Sequence, residues 1–299
     1  MRQYQARWVA LCLFSALVFG LLPSFARFAY ADGASVHLVL LGRSVVGLLG
    51  LSLFQILRGK NVSINSATMR VSFVAGIAHV FAAVGILASI AFIDIALAMM
   101  IIFLYPFPIA VVAHLRGEAR LGPVIIGLIV TAMVGLGLVL GTDFETINPL
   151  GIAFAFVGAI GATVMIIKMA DTSHQIGALD ANIMLTFWAV IVFLGAAIIG
   201  PALGLLPPLG FPETMFGWAM IVGVGITFSG GYLMFFVAAM KIGPARASLL
   251  SISEPVMMIL FAIVLLGEFV GPVKWLGIAL VVGSLALSEI LRRDQPSAA

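Results

Sequence analysis

Charge is what this 299-residue sequence has least of. Asp, Glu, Lys and Arg together make up 9 % of it, against 63 % hydrophobic residues. A soluble domain carries about 25 % charged and about 45–50 % apolar residues, so an ordinary water-facing surface is excluded. Cysteine is scarcer still: Cys12 is the only one, which rules out intrachain disulfides and thiolate metal clusters and leaves a small apolar filler in the first helix. Four scattered histidines do not make a metal centre. There is no GxxxxGK[ST] loop to cradle nucleotide phosphates, and neither HExxH nor GxSxG occurs, which sets aside ATP-driven transport and common hydrolase chemistry. The chain is expected to be no enzyme, with no catalytic residue, metal or cofactor. No long polar linker or low-complexity tract interrupts it, so no soluble domain is expected.

What the chain has is apolar length. Runs of about 20 residues, enough to cross roughly 30 Å of hydrocarbon as helix, recur throughout. Ten are read, at 8–29, 35–57, 71–93, 95–114, 122–141, 149–169, 181–201, 215–239, 246–266 and 273–291. The polar segments 58–70 and 170–180 read as loops, and the Pro/Gly-rich 200–212 as the longest apolar connection. A transmembrane barrel would show short alternating strands instead. The first run is too long for a secretory signal and carries Phe28 and Tyr30 where small residues should mark a cleavage site, so it stays as a helix. The expected class is an all-α membrane protein in the lipid bilayer.

Net charge of +3 is no argument for a nucleic-acid partner, because in a membrane chain the placement of cations matters. Arg27 and Lys274 fall on the side opposite the N-terminus and Arg43 within a helix; the other Lys and Arg share the N-terminal side. Both termini are therefore expected in the cytoplasm.

The sequence also repeats. LYPFPIAVVAHLRGE at 104–118 has its echo in SEPVMMILFAIVLLGE at 253–268, each with a proline inside an oily run. Pro106 matches Pro255, Ala96 and Ala98 match Ala245 and Ala247, Gly122-Pro123 matches Gly271-Pro272, and Gly117-Glu118 matches Gly267-Glu268 one position out of step. Two five-helix halves follow, residues 1–146 and 147–299. Five is odd, so the second half enters the membrane from the other side and the repeat is inverted, the architecture that suits alternating access about a midplane site. A proline frees the carbonyl one turn back, here those of Ile102 and Ser251. Unsatisfied backbone at membrane depth is tolerated against protein or a watery cavity, so the broken fourth and ninth spans are expected to line a solvated chamber.

Ionisable groups inside spans are the first candidates for a substrate site, since a charge at the bilayer centre costs at least about 2.5–3.5 kcal/mol. Arg43 lies on the second span and suits a carboxylate or a structural bond to carbonyls. His79, mid-way along the third, can donate to a substrate, shuttle a proton, or be satisfied by a neighbour. Glu254, just before the ninth-span kink, is the one acid placed deep in a span; it can take a substrate amine, a coupling proton, or a salt bridge to Arg43. Arg27 is near enough to a helix end to snorkel. Tyr105, Trp188, Ser229, Tyr232, Ser251 and Ser253 offer the directed polar groups of an otherwise apolar pocket. Small residues align as Gly127, Thr131 and Gly135 in the fifth span and Ala279 and Gly283 in the tenth, where helices can approach closely. Intrachain packing is the expected use of these stripes, and a monomer rather than a homodimer the expected state.

At these residues the chain resembles the EamA family of the drug/metabolite transporter superfamily. SEPVMMILFAIVLLGE followed by GPVKWLGIALVVGSLAL is similar to the family's second-half ending, ALAMMIIFLYPFPIAVVAHLRGE to that of its first half, and LGRSVVG at 41–47 to its helix-two arginine. The resemblance departs at Thr186-Phe187, where the arginine's counterpart would fall, and at Tyr105, which stands where Glu254 stands. It implies a ten-helix exporter of small metabolites in the bacterial inner membrane, with spans one, three, four, six, eight and nine around the cavity and five and ten outside. Amino acids, aromatic and other uncharged ones first, are the expected substrates, because cation, acid and aromatic groups together hold a zwitterion. Drugs or other amphipathic metabolites are the alternative, and a channel or scaffold the other class.

Overall fold

A computed structural model describes residues 2–62, 64–89, 92–93, 95–118, 122–141, 148–266 and 270–293. Gly267-Glu268 and Arg120 lie outside the described residues. Helices form in chain order as α1 (Arg2–Ala31), α2 (Val36–Leu57), α3 (Ser66–Ser89), α4 (Ile95–Ile102), α5 (Pro106–Leu115), α6 (Pro123–Leu140), α7 (Pro149–Ile176), α8 (Ala178–Ala202), α9 (Met215–Ile242), α10 (Pro244–Leu250), α11 (Glu254–Leu266) and α12 (Pro272–Arg293), with a 3₁₀ turn at Ser251–Ser253. Ten spans of membrane-crossing length and hydropathy result, the fourth made of α4 and α5 and the ninth of α10 and α11. No strand occurs among the described residues. The outward surface is apolar, with Leu53, Ile160, Ile198 and Ile226 all more than half exposed, the burial pattern of a chain solvated by lipid rather than water.

The ten helices are two inverted five-helix repeats, and the packing obeys the exchange of halves. The long contact of α1 with α9 is matched by that of α7 with α3, and α2 on α9 by α8 on α3. Helices α2 and α8 pair with each other, as do α6 and α12, each meeting its own counterpart. The second of these pairs is an approach of backbones: a Cβ built at Gly277 would lie 2.6 Å from the carbonyl oxygen of Gly135. Gly135 thus packs as the small-residue reading expects, but Gly127, Thr131, Ala279 and Gly283 are exposed and Gly277 is the residue that meets it. Spacing fixes which residues share a face and says nothing about which way most of that face points.

The segment 170–180 is a correction of another kind. It is helical apart from Gly177, whose φ of 90° turns α7 into α8 in one residue. Gly243, with φ 84°, does the same between α9 and α10. Only glycine takes such a conformation without steric cost. On the opposite face, the connection before α9 is tied to the α1–α2 turn by Asp32, which accepts from the Thr214 amide and hydroxyl, both at 2.9 Å.

Both proline breaks follow one local design. The residue before each proline donates its amide three residues back: Tyr105 N–H to Ile102 C=O at 3.1 Å, and Glu254 N–H to Ser251 C=O. The carbonyls that the prolines release are therefore recaptured in the backbone by a 3₁₀ turn. They need no water, which removes that part of the case for a wet chamber. Pro106 and Pro255 are both buried, so the breaks face protein rather than acyl chains.

Candidate functional site

The repeat offset leads to the centre of the bundle. Helices α3 and α9 start 149 residues apart, at Ser66 and Met215, and His79 and Phe228 are separated by the same interval. These two counterparts touch, ring centroids 5.5 Å apart, where the halves meet. Tyr232, one helical turn along α9 from Phe228, completes the cluster: its ring lies 4.8 Å from that of Phe228, 5.0 Å from Phe19 of α1, 5.6 Å from Phe236 and 6.1 Å from His79. At this depth rings occupy the space that the sequence reading assigns to a solvated chamber. Gly231 admits them, since a Cβ there would be 2.9 Å from the Phe19 ring.

Three ionisable groups border the rings. His79 is 3 % exposed, and neither ring nitrogen has a hydrogen-bond partner. The Arg43 guanidinium from α2 lies over Phe228, 4.2 Å from the centroid, and its Nε is buried without a partner. Glu254, at the start of α11, is half-buried and within electrostatic reach of Tyr105 and Tyr232. Neither Arg43 nor Glu254 makes a side-chain hydrogen bond or ion pair among the described residues, so the salt bridge between them does not form. Leaving a buried polar group unmatched costs about 1–3 kcal/mol. A fold that does so repeatedly around one cluster of rings has donors, and an acceptor in Glu254, to offer a ligand with apolar faces and two charged ends.

The remaining candidates divide by whether their polar atoms are already matched. The Tyr105 hydroxyl and Ser251 Oγ are 2.5 Å apart, joining the two proline breaks across the halves. Ser251 Oγ also donates to Ser248 C=O at 2.7 Å. Ser229 and Ser253 donate to carbonyls of their own helical segments, Gly225 and Leu250, both at 2.7 Å, and Ser229 packs beside Gly47 of α2. Trp188 donates to Ser72 Oγ at 3.1 Å and fills the space over Gly76, joining α8 to α3. Arg27 is exposed near the end of α1. Cys12 is fully buried, with its Sγ 3.6 Å from Ala247 C=O, the filler its sequence context predicts. Phe19, Phe228 and Phe236 were not singled out by sequence; the available signal was the 149-residue offset, which carries His79 onto Phe228. A groove of about 330 Å³ between α3 and α7, lined by residues such as Phe73, Phe81 and Ile160, lies away from this cluster on the lipid-facing side.

Residues 149–289 match the EamA-like transporter family. The fold is also that of a solved structure described simply as a crystal structure of a protein, with a TM-score of 0.77 over 96 % of this chain and 99 % of that one at 17 % identity. No curated protein matches the chain.

Proposed function

We propose that this chain is a secondary carrier that exports small metabolites by alternating access, with uncharged amino acids, aromatic ones included, as its substrates. The observation that carries the reading is the set of unmatched polar groups on Arg43, His79 and Glu254 around the Phe19, Phe228 and Tyr232 rings. A zwitterion suits them: its carboxylate takes the Arg43 and His79 donors, its ammonium goes to Glu254, and its side chain lies among the rings. Tyr105, Tyr232 and Ser251 supply hydroxyls at the edge, while Ser229 and Ser253 shape the wall from behind. The family match over the second half supports transport of a small molecule, and the two halves, residues 1–146 and 147–299, form one membrane unit. The skew of Lys and Arg supports cytoplasmic termini in a bacterial inner membrane, and the packing of α6 on α12 within one chain fits a monomer as the proposed working unit.

The test is uptake and counterflow in proteoliposomes with a panel of amino acids. An uncharged amino acid is expected to show saturable flux accelerated by the same solute inside, reduced roughly tenfold to hundredfold in Arg43→Ala and in Glu254→Gln, the loss of one charged hydrogen bond each. Unchanged saturable transport in both variants removes the charged site, and flux without saturation removes the carrier.

A further inference from the structure

An inverted repeat allows a molecule to be compared with its own exchanged form. If the halves were in equivalent conformations, both faces would be closed by corresponding contacts. They are not. On the face that carries the N-terminus, α5 packs on α10. Arg246 of α10 there grips Glu289 of α12 through two nitrogens, Nε to Oε1 at 2.9 Å, and donates to Gln5 of α1 at 3.2 Å. The Tyr105–Ser251 bond lies just behind this contact. On the opposite face the counterparts α4 and α11 form no such packed pair among the described residues. Among the described helices, α5 and α10 are packed together at the N-terminal face while α4 and α11 are apart at the other.

Exchange of the halves shifts each residue by 149. Tyr105 becomes Glu254 and Ser251 becomes Ile102, and the backbone respects the rule, since Tyr105 N–H to Ile102 C=O corresponds to Glu254 N–H to Ser251 C=O. When the opposite face closes, the contact that replaces Tyr105 on Ser251 is therefore Glu254 on Ile102. A phenol meeting a hydroxyl gives way to a carboxylate meeting a buried isoleucine, which offers no donor. An ionised carboxylate held there is strongly disfavoured, and a neutral one is not.

We infer that Glu254 is a charge checkpoint: the face opposite the N-terminus closes only when this carboxylate is neutralised, by a proton or by the ammonium of a bound solute. The two compete for one group, so solute leaving in one direction is exchanged for a proton returning in the other. This rests on the carrier reading. The groups that surround Glu254 do not substitute for it. Tyr232 faces it from α9 and Tyr105 from the fourth-span break; α1 brings buried Cys12, with Arg7, Arg27 and Tyr30 towards its ends; α6 brings no ionisable residue, and the 3₁₀ turn only Ser251 and Ser253.

The test is electron–electron distance measurement on the full chain in lipid, with spin labels at Phe92→Cys and Val264→Cys on the opposite face and, separately, at Leu115→Cys and Lys241→Cys on the N-terminal face. All four positions are exposed, and the labels are introduced in a Cys12→Ala background. As pH falls, the ratio of short to long Phe92–Val264 distances is expected to rise by up to about tenfold per pH unit, the limit for one coupled proton. The Leu115–Lys241 distances should lengthen in step. Glu254→Gln should sit at the acid limit at every pH, and Ile102→Ser, which supplies a hydroxyl, should favour closure of the opposite face at neutral pH. Reciprocal movement that ignores pH, or an undiminished pH response in Glu254→Gln, overturns the checkpoint and leaves the carrier standing. Absence of reciprocal movement under any condition overturns both.

Discussion

His79 is buried with both ring nitrogens unmatched, beside a guanidinium whose Nε is also without a partner. If that arrangement serves a ligand, removing it should help the fold and hurt the work. His79→Leu is expected to raise the thermal unfolding midpoint, by an amount corresponding to about 1–3 kcal/mol, while abolishing saturable uptake. Scanning fluorimetry beside vesicle transport checks both, and a lower midpoint would mean that the nitrogens are matched in place. At this scale the sequence was a good guide to ionisable residues, because a charge or imidazole inside an oily run needs a reason. It was a poor guide to aromatic ones. With 22 phenylalanines in the chain, composition alone has no means of separating Phe228, under Arg43, from Phe81, which faces lipid. In a membrane both environments are apolar, and the usual contrast between inside and outside is lost.

The existence of each span was legible, since hydrophobic length marks a span and proline marks a break, with ends that differ by up to about seven residues. Two polar stretches are exceptions: residues 66–70 and 171–175 read as loop, yet both are helical, and in the second Thr172 and Ser173 are buried, with Thr172 donating to Val71 C=O at 3.2 Å. The faces of α6 and α12 were not legible. Their crossing makes a sharp expectation: Gly277→Leu should lower the unfolding midpoint and the yield of folded protein, because its side chain would be driven into the Gly135 backbone. Gly283→Leu, with open space around its Cα, should leave both near wild type. Equal effects of the two substitutions would place the α6–α12 contact elsewhere.

For the molecule as a whole, the duplication was visible in the matched prolines, and inversion followed from an odd number of spans per half. Which face is closed was not visible, because that depends on pairs such as Tyr105 with Ser251 and Arg246 with Glu289, distant in sequence and without counterparts in the other half. Position 289 has Leu140 and position 246 has Leu97 as its equivalent, so the grip of α10 on α12 has no twin. Loosening it should expose the interior of the N-terminal face. In Glu289→Gln the native Cys12, buried beside Ala247, is expected to react several-fold faster with a small maleimide than in the wild type, read by mass spectrometry of the intact chain. An unchanged rate would show that the pair does not hold that face shut.

The N-terminal face in fact has two electrostatic clasps of different depth. Arg116, which caps the end of α5, reaches Asp171 of α7 at 3.4 Å and Glu118 at 3.7 Å, with all three side chains about 40 % exposed, whereas Arg246 and Glu289 are exposed by only 13 and 14 %. Mobile ions screen the first clasp and scarcely reach the second. Concentrated salt should therefore free the end of α5 while α10 stays anchored, so that ionic strength becomes a way to unfasten one half of the gate and leave the other in place.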